Sequence, residues 1–189
     1  MNRLITAAAC AAALTAAHAD GGSYAIDPTH TFVSFEVMHR GTSTHRARFD
    51  RKEGTVQFDR RARSGRVEIS IDMNSINSGV PAFDSHLRSK DLLDVAAHPT
   101  ARFVGDRFTF VDDSVTEVAG TLTLLGKSHP VTLKATRFNC YDNPIFRREV
   151  CGGDFETVIQ RSRWGVNHGL PGIAPDQVRL VVQVEAIRQ

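Results

Sequence analysis

Several things are missing from this chain, and each absence removes a class of function. No charge of one sign dominates, since 23 Lys and Arg stand against 21 Asp and Glu. A formal net charge of +2 gives no electrostatic reason to expect a nucleic-acid partner. The basic residues are scattered among acids, as on an ordinary solvated surface. Zinc-enzyme spacing is missing too: there is no H-E-x-x-H run, and His39 and His45 are separated by a stretch containing Gly41. There is no C-x-x-C pair, no G-x-S-x-G elbow and no Gly-rich phosphate loop in a strand–helix context. Ser85 and His86 are adjacent, and adjacent helical residues do not face each other, so they form no dyad. No internal repeat, low-complexity tract or linker divides the chain. The expectation from these absences is a protein without a catalytic residue, a metal or a cofactor.

Long apolar runs are also scarce. The exception is the start, "MNRLITAAACAAALTAAHA", with Arg3, an Ala-rich apolar run and Ala17-His18-Ala19. That is the layout of a cleavable signal peptide, and the run is shorter than the ~20 residues a membrane-spanning helix needs. Cleavage after Ala19 divides the chain into a signal, 1–19, and a mature domain, 20–189, long enough for one domain with a core. The short Ala-rich signal has a bacterial look and points to the periplasm. Cys10 lies inside the apolar run, not at the end of a lipoprotein box. Export leaves two cysteines, Cys140 and Cys151, flanking the turn cluster Asp142-Asn143-Pro144. An even count in an oxidising compartment favours a disulfide over a redox or metal pair.

What the mature chain does have is period-2 alternation. Val33, Phe35, Val37 and His39 share one face of "TFVSFEVMH"; Val67, Ile69, Ile71 and Met73 share one face of "RVEISIDM". "EVAGTLTLLG" and "PVTLKATRF" read as a hairpin around "GKSHP", and Val178, Leu180, Val182 and Val184 share a face near the end. Turn signals such as "RKEG", "RRARSG", "DDS" and "DNP" separate these runs. About eight strands without alternating helices mean an all-β sandwich or closed barrel. An eight-stranded barrel is just wide enough to hold a small ligand.

One stretch breaks the pattern. "PAFDSHLRSKDLLDV", residues 81–95, reads as one or two short helices lying across one end of the sheet structure. Asp84 or Ser85 is a candidate cap, and Pro99 ends the insert. Asp84 and Arg88 are four apart and able to pair. Asp84, His86 and Arg88 are then either a local brace for the insert or the polar rim of an apolar pocket.

The order of these segments resembles the YceI-like family, periplasmic polyisoprenoid-binding proteins with a lipocalin-like barrel. The likeness runs from Tyr24 to Ala186. It rests on "YAIDPTHTFVSFEVMHRG", "ARFDRKEGTVQFD", "VEISIDMNSINSG", "FDSHLRSKDLLDVAAHPTARF" and "GTLTLLGKSHPVTL", in that order. Thr31 stands where Ser is usual, Arg40 where an apolar residue often sits, and Arg163 in "RSRWGV" where the family has an acid. That last change bears on head-group preference if the acid orients a ligand.

The resemblance implies an eight-stranded antiparallel lipocalin-like barrel with a short helical insert around 81–95. It implies an apolar tunnel for a polyprenyl chain or isoprenoid quinone, with no established catalytic residues. It leaves room for transient membrane contact and for a homodimer. The expected walls are Val33, Phe35, Val37, Val67, Ile69, Ile71, Leu122, Leu124, Val131, Leu133, Val182 and Val184, with His39, His86 and Arg88 as polar contacts. The function expected is a carrier for a long isoprenoid lipid. Two alternatives stand beside it: a barrel enzyme acting on a lipid or quinone, and a stress-response protein acting through a protein partner.

Overall fold

Every alternating segment forms a strand, because each has one face able to pack and one able to meet water. The computed structural model describes residues 21–189, so the signal segment and its cut site lie outside the described residues. The strands are β1 (Gly22–Ile26), β2 (Phe32–His39), β3 (Ser43–Phe49), β4 (Lys52–Asp59), β5 (Ser64–Asp72) and β6 (Ile76–Asn77). Helix α1 (Pro81–Arg88) follows, then β7 (Thr100–Val111), β8 (Ser114–Leu124), β9 (Lys127–Asn143), β10 (Arg148–Gln160) and β11 (Gln177–Arg188). Among the described residues no helix is long and apolar enough to cross a membrane.

The eleven segments make eight staves. β1 and β2 run in tandem along one side of β11, with Tyr24 opposite Arg188 and Val33 opposite Val182. β4 and β3 pair with them in the same way, and β6 carries β5 onward to β3 after a short 3₁₀ turn. The remaining strands pair in chain order, all antiparallel, and β1–β11 closes the barrel. Closure leaves no open edge along those two strands.

Local chemistry explains the breaks within staves. At Asp27-Pro28-Thr29-His30 the Asp27 carboxylate accepts from the Thr29 amide at 2.8 Å, the Thr29 hydroxyl at 2.6 Å and His30 Nδ1 at 2.7 Å. This is an Asx-type turn, and Pro28 has no N–H to give to a ladder. Burial pushes the Asp27 carboxyl up, but the hydrogen bonds from His30 and Thr29 outweigh it and hold the group at about 2. Thr31, fully buried, fills the gap in the ladder: its hydroxyl donates to the Glu185 carbonyl and accepts the Glu185 amide.

Two local expectations, the extent of the GKSHP turn and the cap of the insert, are corrected. The β8–β9 turn is only Leu125-Gly126, both left-handed, so Lys127–Pro130 already belong to β9; two positive φ values match the twist of a two-residue hairpin. Of the one or two short helices expected in the insert there is one: α1 ends at Arg88, and the insert continues as tight turns. Its N-cap is Val80, not Asp84 or Ser85. The Asp84 carboxylate instead accepts from the Ser78 amide at 2.7 Å and hydroxyl at 2.6 Å, which holds its pKa below the usual carboxylate range. Cys140 and Cys151 face each other across β9 and β10 and form a disulfide.

Candidate functional site: an apolar cavity beneath the helical insert

The inward faces of the staves enclose a cavity of about 400 Å³ in the half of the barrel covered by α1. Val33, Phe35, Val37 and His39 of β2 form one wall, and Ile71, Leu122, Leu124, Val178 and Leu180 contribute others. The insert supplies the roof through Phe83, His86, Leu87, Leu92 and Leu93. Phe83, His86 and Leu87 share a helix face at spacings of three and four, which is why this face looks inward. The segment after β10 supplies Val166, His168, Ile173 and Ala174. The volume lies in the range of ligand sites, and the lining is apolar with a few polar groups.

Farther down the bore the free space shrinks to about 70 Å³. Ile69, Leu133, Val182 and Val184 line this second half, together with Val67, Tyr24, Phe58, Phe103, Phe108, Phe138 and Phe155. The two halves share continuous strands: on β11, Val178 and Leu180 face the wide part and Val182 and Val184 the narrow part.

Eight expected contacts thus line the wide cavity: Val33, Phe35, Val37, His39, Ile71, His86, Leu122 and Leu124. Two expected contacts do not line either space. Arg88 lies to the side of the inward helix face, with its guanidinium 3.5 Å from the Ser85 hydroxyl. Val131 is buried, but β9 has by then parted from β10, whose pairing stops at Lys134 opposite Glu156. Val131 turns one edge to the resulting outer groove, beside Trp164. Trp164 plugs the parting: it is 1% exposed and donates its indole N–H to the Leu122 carbonyl at 3.2 Å.

The histidines at the cavity meet rings. His39 stacks on His45 at 4.5 Å, His45 meets the Phe83 edge at 5.4 Å, and His86 meets His168 edge-on at 5.3 Å. These contacts tie the roof to β3 on one side and to the segment after β10 on the other. His45 and His168 were not among the expected contacts.

Arg161 was also not foreseen. It is buried at the cavity wall, and its N–H groups donate to four carbonyls: Pro175 at 3.0 Å, Val166 at 2.9 Å, His168 at 2.9 Å and Ala174 at 3.2 Å. One side chain thereby fixes the segment that closes the third side of the cavity. Burial lowers the pKa of Arg161, and nearby Asp176 opposes that shift. Asp176 is itself held in place by the Ser162 hydroxyl and amide. Arg163 sits on the outer wall over the Trp164 ring, away from the cavity. Its replacement of an acid therefore does not alter the cavity lining.

Cys140, Cys151 and Glu149 place potential metal-ligand atoms within 4.8 Å of one another, but both sulfurs are committed to the disulfide. A metal thiolate site would need them free and ionised.

Comparison with known proteins agrees with this architecture. A YceI-like domain model matches residues 24–186. The protein PA0423 of Pseudomonas aeruginosa is 33% identical over 193 residues, covering all of both chains. Protein YceI of Salmonella arizonae is 32% identical over 178 residues, 93% of this chain and 92% of its own. Among solved structures, Burkholderia cenocepacia BcnA superimposes with a TM-score of 0.71 at 22% identity, over 85% of this chain and 98% of its own. A domain from Saccharophagus degradans, described as polyisoprenoid-binding and implicated in plant cell wall breakdown, gives 0.65 at 16% identity, over 88% and 98%. These last two likenesses concern the fold. The closed barrel, the order of its motifs and the full-length relatives place the chain in the YceI-like family.

Proposed function

We propose that this protein is a periplasmic carrier or reservoir for an isoprenoid lipid, either a polyprenyl chain or an isoprenoid quinone, and that it binds without catalysis. The observation that carries the reading is the apolar cavity of about 400 Å³ under α1. A solved structural relative described as a polyisoprenoid-binding domain supports the ligand class.

The energetics suit exchange with a bilayer. Burying one isoprene unit from water is worth ~4 kcal/mol gross, at ~0.8 kcal/mol per carbon group. A lipid leaving a membrane comes from a medium already apolar, so the net chain term is small. Selectivity then rests on cavity shape and on the polar groups at the mouth, His39, His45, His86 and His168. The mouth is also the side turned towards a membrane in this proposal. Met38 and Ile173 line the cavity and are 41% and 37% exposed, and the Arg40 amide joins this rim by donating to the Ile173 carbonyl at 2.9 Å.

The test is native mass spectrometry of mature protein purified from periplasm without detergent, followed by organic extraction. A stoichiometric extra mass that extracts as one prenyl or quinone species is the expected result. A bare protein mass, with no uptake of quinone or prenol on titration, would overturn the carrier.

A further inference from the structure

The bore of this barrel is wide at one end and almost filled at the other. On β5, Ile71 faces the wide half and Ile69 the narrow half; on β8, Leu122 faces the wide half and Val118 the narrow one. The change occurs within one or two inward positions along each of these continuous strands, so it is a property of side chains and not of strand number. The cause is a group of aromatic rings around Phe58.

Phe58 is buried, and its ring centre lies 5.6 Å from Phe138, 6.0 Å from Phe110, 6.4 Å from Phe108 and 6.4 Å from Tyr24. The strand backbone lets the rings lie close: a Cβ on Gly65 would come within 2.9 Å of the Phe108 ring. The cluster is also fastened from outside. The Tyr24 hydroxyl donates to Glu149, whose carboxylate is held by Arg60 at 3.2 Å and Arg188 at 3.7 Å. Burial first, and the Glu149 contact second, push the Tyr24 phenol up to about 12, so it stays a hydrogen-bond donor over the whole physiological range.

We propose that this aromatic cluster is a ruler: it closes the bore at a set depth and thereby limits the length of isoprenoid chain the barrel accepts. The proposal rests on the carrier reading and narrows its ligand class to chains whose tails end where the rings begin. The wide half offers about 400 Å³ and the narrow half about 70 Å³, so the room for a chain falls several-fold where the rings begin. A longer tail would have to displace packed rings, and overfilling a packed core is destabilising. One phenyl ring carries about as many carbons as one isoprene unit, so each ring removed adds about one unit of depth.

The experiment is competition binding by native mass spectrometry, using linear prenols lengthened one isoprene unit at a time. Wild-type protein is expected to show an optimum chain length and to bind chains beyond it progressively more weakly. Phe58→Ala should move the optimum up by one unit. Ala101→Leu, which adds bulk to the open wide half, should move it down, and it keeps the test decisive if Phe58→Ala does not fold. Affinity that rises to the longest prenol in all three proteins, or an optimum that Ala101→Leu leaves in place, overturns the ruler while leaving the carrier intact. Failure to bind prenols of any length removes the carrier reading itself, and the ruler with it.

Discussion

Replacing Arg161 with methionine tests how the third wall of the cavity is held. Methionine keeps much of the stem and removes every donor. Four carbonyls, those of Val166, His168, Ala174 and Pro175, lose a partner. An unsatisfied buried acceptor costs about 1 kcal/mol or more, which sets the loss near 4 kcal/mol if nothing relaxes. Relief from burying a guanidinium offsets part of it, and the three half-buried carbonyls can take water. The expected net loss is about 2–4 kcal/mol. Arg161→Lys supplies one nitrogen in place of a planar fork, so it should recover no more than about half. Equilibrium unfolding in urea, followed by the fluorescence of the single tryptophan, Trp164, reads the loss directly. Hydrogen exchange at residues 165–176 should rise in the same variants, since that is the segment the guanidinium ties down. A methionine variant within about 0.5 kcal/mol of wild type, with unchanged exchange there, would refute the assignment.

Asp27 gives a pH signature. Its carboxyl lies at about 2 against an ordinary value of 3.8, so its stabilisation is present above pH 3.8 and is lost as pH falls through about 2. The shift corresponds to about 2 kcal/mol. Its partner His30 is raised above 6.5, so the charged part of their contact is complete below pH 6.5 and fades as pH rises through the folded value. Asp27→Asn should therefore lose stability at pH 6 and flatten the acid limb of a melting-temperature profile; an unchanged acid limb would show that the turn does not depend on this charge. Reducing the Cys140–Cys151 bridge, which closes a separation of 11 residues, should cost about 2–3 kcal/mol on the chain-entropy model; equal urea midpoints with and without reductant would contradict that. Leu122→Trp should take up part of the wide cavity and weaken lipid uptake while the barrel still unfolds cooperatively; uptake equal to wild type would place the ligand elsewhere.

The staves were legible because each presents one face to a packed interior and one to water. Val67, Ile69 and Ile71, or Val178, Leu180 and Val182, declare their direction by alternation alone. The breaks in the staves were not legible, since the turn at Asp27 depends on a carboxylate gathering Thr29 and His30. Alternation also tells inward from outward but not one depth from another. Phe58, Phe103, Phe138 and Phe155 come from four different strands and form one aromatic end only after closure. Val131 has the same parity as Leu133, and only the parting of β9 from β10 separates their surroundings. In "RSRWGV" the unusual residue is Arg163, yet it faces the outer wall. Arg161, two places earlier, does the structural work, and its four carbonyl partners are backbone atoms that no side-chain pattern announces.

β11 pairs with β10 along its length on one side and with β1 and β2 in succession on the other. The barrel therefore cannot close until β11, the stave that bridges β10 to β1 and β2, is in place. Until Gln177–Arg188 arrives, the remaining strands can form at most an open trough, with an apolar inner surface and unpaired edges. The hollow that would receive a lipid does not exist before then. In the carrier reading, loading has to wait for that last stave, and the open trough before it is the state most exposed to pairing with other chains.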